Sequence, residues 1–379
     1  MIEYYLHEFL QYTAPFLAVL GVVVFVHEFG HYWVARHCGV KIEVFSIGFG
    51  HELFGWTDKA GTRWKVCWLP LGGYVKMFGD GSAASTPGQT VHDMNDDEKK
   101  ISFFHQHVDR RMAVVAAGPL TNYLFAIVLM SLLFMLAGQP FTPPVVNGVV
   151  KGDAAARAGL DVGDRILTID GHSIENFEDI QRLVSLNTGT PVTMQVERSH
   201  RRMAFTLTPD FVKVKDIFGE TQKLGRIGIR SGPLEYKMQP PLEAIHQATL
   251  ETWQLTAATL KGIGQIVTGT RSADQIGGPL RIADLSGHVA KEGGAAFVWF
   301  MAVISINLGL INLFPIPLLD GGHLAFYLAE RLRGRPLSER IQAAGAHLGL
   351  FMVLSLMVFA TWNDLVQLKV IAYLRGLFS

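Results

Sequence analysis

A chain of 379 residues that is 49% hydrophobic and only 17% charged is too apolar for an ordinary soluble enzyme and too polar for a bare helical bundle, so a membrane part joined to a soluble part is expected. Lys+Arg and Asp+Glu both total 33, which leaves no basic excess for nucleic acid and no acidic tail. The two cysteines, Cys38 and Cys67, make no disulfide framework and read as reduced thiols on the cytoplasmic side.

Residues 14–35 form an almost uninterrupted apolar run, long enough as a helix to cross about 30 Å of hydrocarbon. Glu3 and Glu8 precede it, with no Lys or Arg, so it reads as a retained span and not as a cleavable signal. Inside it lies His27-Glu28-Phe29-Gly30-His31. On a helix the two His stand one turn apart on one face and can reach a single metal ion, with Glu28 beside them to address a water on it. His-Glu-x-x-His is the zinc peptidase pattern: two His for Zn²⁺ and a Glu as general base. A carboxylate at that depth costs about 2.5–3.5 kcal/mol on insertion scales, so it marks function.

Further along, Ile42–Ile47 alternates and Arg63–Leu69 leads into Gly72-Gly73-Tyr74, which predicts strands able to take an extended peptide by strand addition. Residues 112–137 hold no charged residue and form the clearest span. Between 145 and 208 a small α/β domain is expected. It has a strand at Val145–Val150, a helical turn at Ala154–Ala158 ended by Gly159, a strand at Arg165–Ile169 and an Asp170-Gly171 turn. A helix at Phe177–Leu186 and strands at Val192–Glu197 and Met203–Leu207 complete it. A peptide groove would lie between Val145–Val150 and Phe177–Leu186. Residues 242–267 have helical spacing but carry Glu251, Lys261 and several Thr and Gln. This is too polar to span, so the segment reads as an interfacial helix or one packed under the extracytoplasmic domain.

The span at 296–319 is broken near its end by Pro315 and Pro317. Interrupted backbone at membrane depth is tolerated only where protein or a cavity surrounds it, so this span should end at an internal site. There the sequence runs from Asn312 to Asp320-Gly321-Gly322-His323. A catalytic zinc needs a third protein ligand and an open position. Asp320 is the strongest candidate, with His323 a rival. A fourth span covers 343–362. Ten Lys/Arg between 36 and 111, and Arg331, Arg333, Arg335 and Arg340, against only Lys369 and Arg375 in the tail, put the basic loops in the cytoplasm. Both termini and the segment 141–290 are then extracytoplasmic.

His-Glu-x-x-His in the first span, with Asn-x-x-Pro-x-Pro-x-x-Asp-Gly at a later one, resembles the signature pair of the site-2 protease family. With Ala-Gly-Leu-x-x-Gly-Asp at 158–164 resembling a PDZ domain of the bacterial protease type, the chain is similar to the bacterial regulator-of-sigma-E proteases. Better-known members carry two tandem PDZ domains, whereas this chain has one such motif. The resemblance implies a polytopic α-helical membrane protein with four transmembrane helices, a membrane-associated β-loop and an inserted α/β PDZ domain. Its parts would be a catalytic membrane part at 1–137, the PDZ domain at 141–210, a linker with the amphipathic helix at 211–295 and a second catalytic membrane part at 296–379. It also implies that His27, His31 and Asp320 bind Zn²⁺, that Glu28 activates water and that Asn312 holds substrate. The implied activity is intramembrane cleavage, in the bacterial inner membrane, of single-span proteins amid lipid. The substrate would be an anti-sigma factor receiving its second cut in a regulated stress response, or a remnant signal peptide. Two other readings stay open at this point. One is a non-catalytic PDZ receptor whose structural zinc is closed by His323 or Cys38, and the other is a metal transporter using the same three ligands.

Overall fold

The computed structural model describes residues 2–80, 93–187, 189–215, 221–270, 272–273 and 277–367; the tail with Lys369 and Arg375 lies outside them. In chain order the elements are α1 (Ile2–His37), β1 (Ile42–Thr57), β2 (Arg63–Met77), α2 (Asp96–Ile101), α3 (Val108–Leu136), β3 (Gln139–Phe141), β4 (Gly148–Val149), α4 (Ala154–Ala158), β5 (Arg165–Ile169), β6 (His172–Ser173) and α5 (Phe177–Leu186). They continue with β7 (Val192–Arg198), β8 (Arg201–Leu207), β9 (Asp210–Lys215), β10 (Thr221–Arg226), β11 (Ile229–Arg230), β12 (Glu235–Lys237), α6 (Pro241–Val267), α7 (Pro279–Glu292), α8 (Gly294–Leu313), α9 (Asp320–Arg333) and α10 (Glu339–Gln367). Among the described residues four helical stretches are long and apolar enough to cross a membrane: Leu10–His37, Val108–Leu136, Gly294–Leu313 and Arg340–Gln367. The protein is a polytopic membrane protein. The third stretch stops at Leu313 and not at 319, because Pro315 has no N–H to donate and restricts Phe314 to the extended conformation seen there (ψ 142°).

The chain divides into two compact units: Met1–Leu132, Leu242–Ile263 and Ser272–Ser379 in one, Leu133–Pro241 and Gly264–Arg271 in the other. In the first, β1 and β2 make more than a hairpin. Phe45 stands opposite both Val75 and Trp64, and Trp64 also stands opposite Trp56. Residues 42–49 are therefore flanked on both sides, by 73–77 and by 63–69, and the latter is flanked in turn by 52–57. Ile42, Phe45, Val75 and Met77 pack with Phe103, Val114 and Tyr327 in one buried cluster, which fixes the sheet to α3 and α9. The segment 73–77 is left as the rim nearest α1.

At the end of that rim Asp80 accepts a hydrogen bond from the Met77 N–H (2.8 Å), while its Oδ1 is buried without a partner. Burial pushes this carboxyl up to about 7, against the pull of the Met77 N–H and Lys76. An unfolded Asp ionises near pH 4, so the fold prefers the protonated form. Asp80 therefore costs nothing below about pH 4, and stability falls as pH rises from there to about 7. Asp80→Asn should raise the thermal midpoint by several degrees at pH 8 and leave it unchanged at pH 4, read by differential scanning fluorimetry in detergent.

The segment 242–267 forms one helix, α6, which is not one of the stretches apolar enough to span among the described residues. Ala244, Ala248, Thr252 and Thr256 form its buried face, spaced by fours so that they share one side of the helix. Thr256 Oγ1 meets Tyr123 Oη at 3.5 Å on α3, and Thr259 Oγ1 meets Asn307 Oδ1 at 3.2 Å on α8. The helix thus meets α3 and α8 through these hydroxyls. Much of its apparent polarity is internal, since Thr249, Thr252 and Thr256 donate to carbonyls one turn back. Asp364 of α10, almost fully buried, accepts from the N–H groups of Gly278 (2.8 Å) and Arg281 (3.0 Å) and so caps α7.

The second unit contains the expected α/β domain. Its sheet has the order β6-β5-β7-β8 around a core that includes Ile166, Ile180, Met194 and Val196. The strand at 165–169 and the helix at 177–186 have the expected bounds, and Asp170 and Gly171 both have positive φ (49° and 81°), as a tight two-residue hairpin turn requires. Asp164 of the Gly-Asp pair is fully buried and is gripped by Arg198 through Nε (2.6 Å) and Nη2 (2.7 Å). Two expectations change. The strand at 145–150 shrinks to Gly148–Val149, which pairs with β11. It is Gly225, in contact with the Val184 carbonyl and close to that of Asn187, that runs beside α5. Likewise Ile227 belongs to the core and β12 pairs with β3, so the unit continues past 210 to Pro241.

Candidate active site

Asp320 owes its position to the break after α8. From Leu313 the chain turns through Phe314–Leu319, with Leu318 in the left-handed region (φ 80°), a conformation costing an ordinary L-residue about 1–2 kcal/mol. Helix α9 then starts at Asp320 itself, an acidic residue at the positive end of a helix. The first turn of α9 folds back so closely that a Cβ on Gly321 would strike the Leu313 and Phe314 carbonyls, and one on Gly322 would strike that of Ile316. Gly349 of α10 abuts the Pro317 carbonyl, so this irregular stretch is covered by protein, as its polar backbone requires.

The two His are oriented by α3. His31 Nδ1 lies 2.9 Å from the Val114 carbonyl oxygen, and His27 Nδ1 lies 3.3 Å from the side-chain amide of Asn122. Val114, Gly118 and Asn122 are spaced by fours, so one face of α3 runs antiparallel to the His face of α1. Between them, Gly118 leaves room for both imidazoles; a Cβ there would overlap the His31 ring and stand 2.9 Å from His27 Cε1. Gly30 makes the reciprocal approach, against Ala117 and Thr121. Ser305 of α8 donates to the Asn122 carbonyl (2.9 Å). Gly309 of α8 faces the Pro119 carbonyl, which brings Asn312, one turn on, to the site.

These supports bring three ligand atoms together. His27 Nε2 and His31 Nε2 are 3.2 Å apart, and Asp320 Oδ2 is 3.1 Å from the first and 3.5 Å from the second. Among the described residues, these three form the group able to hold a metal. Tetrahedral zinc with bonds of about 2.0–2.1 Å spaces its ligand atoms about 3.3 Å apart, so the triangle has the size zinc requires. Asp320 Oδ2 is buried and has no hydrogen-bond partner, and a metal satisfies such an oxygen. Both Nδ1 atoms face oriented polar groups, which leaves both Nε2 lone pairs for the ion. His323 and Cys38, the alternatives for closing the site with a fourth ligand, fall outside the group.

A cavity of about 290 Å³ opens on this triangle, lined by Glu28, Gly73, Tyr74, Asn312 and Asp320 among others. The Val75 N–H is hydrogen-bonded to the Glu28 carboxylate, and a Cβ on Gly73 would lie 3.2 Å from Glu28 Cγ. Asn312 Nδ2 is 3.4 Å from His27 Nε2. All five residues singled out in the sequence therefore line one cavity. Sequence reasoning missed Gly118 and Asn122; the available signal was an amide within an otherwise apolar span, which by itself marks a site.

The sequence matches the model of peptidase family M50 over residues 15–356. A Rhizobium meliloti (strain 1021) protein provisionally named a zinc metalloprotease is 45% identical over 362 residues, covering 94% of this chain and 97% of its own. Metalloprotease MmpA of Caulobacter vibrioides is 39% identical, over 98% of this chain and 99% of that protein. Among solved structures, the PDZ domain of an SdrC-like protein from Listeria monocytogenes aligns with a TM-score of 0.19 and 21% identity, over 24% of this chain and 88% of that one. With a zinc-sized triangle of two His and one Asp beside a glutamate, and with relatives matched along almost their whole length, the chain belongs to peptidase family M50, the site-2 proteases, and is a membrane zinc metalloprotease.

Proposed function

We propose that the protein is an intramembrane endopeptidase that cuts the transmembrane segments of single-span membrane proteins. The observation that carries this reading is the single cavity shared by the ligand triangle, Glu28, Asn312 and the rim of the sheet. His27, His31 and Asp320 hold the ion. Zinc, when bound, supplies Lewis acidity, polarising the scissile carbonyl and making water acidic enough to ionise near neutral pH. Glu28 takes the proton from water and later delivers it to the leaving amine nitrogen. Asn312, an amide able to donate and accept, holds the substrate backbone near the triangle.

A transmembrane helix hides its peptide bonds in i→i−4 hydrogen bonds and must unwind before attack. The rim 73–77 offers the compensation, taking the unwound segment as an added strand. Leu53, Phe54, Trp56 and Trp68 on the same sheet are largely exposed, which suits a β-loop seated at the lipid interface. With the basic loops in the cytoplasm, both termini and the PDZ domain are extracytoplasmic and the membrane is a bacterial inner membrane. By family resemblance the substrate is an anti-sigma factor already trimmed on its outer side, as in regulated stress signalling, or a remnant signal peptide. Purified protein in detergent should cleave a model transmembrane peptide, lose all cleavage with a zinc chelator and recover it on adding zinc. Zinc-loaded protein that leaves every such peptide intact would contradict the proposal.

A further inference from the structure

Asn122 makes no contact with the cavity, yet it is fully buried within an apolar helix, and its amide stands 3.3 Å from His27 Nδ1. A His that presents its Nε2 lone pair to a metal must carry its proton on Nδ1. The group facing Nδ1 must then accept a hydrogen bond. For His31 the acceptor is a backbone oxygen, that of Val114. For His27 the one side chain in place is Asn122, and its Oδ1 is the amide atom that stands buried without a partner. Carboxamide oxygen and nitrogen are exchanged by a half-turn of the amide group, and the two orientations are assigned from hydrogen bonding alone. Turning the amide puts Oδ1 at the position facing Nδ1, as a ligating His27 requires.

Resting on the proposed assignment of His27 as a metal ligand, we infer that Asn122 is the positioning residue that fixes His27 in its zinc-binding tautomer and ring orientation. Val114 performs the same task for His31 through its main chain. The difference has a consequence: the His31 partner survives any side-chain substitution at its position, whereas the His27 partner is lost with one. The anchoring of Asn122 is also built in, because Ser305 Oγ donates to its backbone carbonyl at 2.9 Å and so ties that turn of α3 to α8.

The test is zinc affinity of the full chain in detergent, measured by competition with a chelator of known affinity, with helix content followed by circular dichroism. Removal of an outer partner of a metal-bound His costs about 10–100-fold in affinity, so Asn122→Leu should weaken zinc by that factor without losing helix. Asn122→Asp keeps an acceptor of the same shape and should bind zinc at least as tightly as the unaltered chain. Ser131→Ala removes another polar side chain from the same helix, one that bonds only the Ile127 carbonyl, and should leave affinity unchanged. Zinc binding by Asn122→Leu within about twofold of the unaltered protein would overturn the inference, as would a Ser131→Ala loss equal to that of Asn122→Leu. Should Asn122→Leu not fold, Asn122→Asp decides, and a tenfold loss there overturns it. An unaltered chain that takes up no zinc would sink the ligand assignment itself, an outcome distinct from failure of the Asn122 role alone.

Discussion

Glu28→Gln should abolish peptide cleavage while leaving zinc content intact. Glutamine preserves the shape of the side chain and its contact with the rim at Gly73 and Val75, but it cannot take a proton from water. General-base catalysis contributes about 10²–10⁴-fold, so at least that much activity is lost, and no pH within the stable range restores it. Glu28 lies outside the ligand triangle, so zinc measured by atomic absorption should stay at one per chain. Cleavage by the Gln variant at more than about a tenth of the original rate would remove Glu28 from the base role. Loss of zinc together with cleavage would mean that Glu28 holds the metal and does not serve the water.

Gly118→Ala is expected to have an effect of similar size for an unrelated reason. The residue carries no chemistry, but its Cβ would occupy the space of the His31 ring and press on His27. Both imidazoles must swing aside, and the ligand atoms, now 3.1–3.5 Å from one another, separate. Zinc affinity and cleavage should each fall at least tenfold. The sign is what makes the result informative. In a helix interior Ala is favoured over Gly by about 1 kcal/mol, so an account based on helix stability alone predicts a sturdier, fully active variant. Competition titration for zinc, beside a thermal melt, separates the two accounts. Unchanged affinity with a higher melting temperature would contradict the geometry described for α1 and α3.

Local features were legible in the chain and long-range ones were not. The four-residue spacing of His27 and His31 translates directly into one helix face, and the prolines before Asp320 announce a broken span that needs an internal destination. The bounds of β5 and α5 follow from local alternation, turn chemistry and helical spacing. Gly118 and Asn122 escaped notice because their meaning lies in the pairing of α3 with α1, a register that no periodicity within α3 encodes. The strands of the sheet were legible from local alternation, whereas the flanking of 42–49 on both sides arises only once β1 and β2 bend. The end of the second unit was placed at 210 because Ile229 and Arg230 form a strand of two residues, too short for alternation to register. Its partner, Gly148–Val149, lies far away in sequence. For α6, the count of polar residues rightly set it apart from the spans, but the neighbours that its threonines meet are not encoded in its own spacing.

Zinc K-edge X-ray absorption on the purified full chain is the most direct measure of whether His27, His31 and Asp320 share one ion. The account predicts two imidazole nitrogens and only oxygen neighbours besides them at about 2.0–2.2 Å, with the zinc signal lost in an Asp320→Ala variant. A sulfur neighbour near 2.3 Å, a third imidazole, or a spectrum indifferent to Asp320 would contradict it.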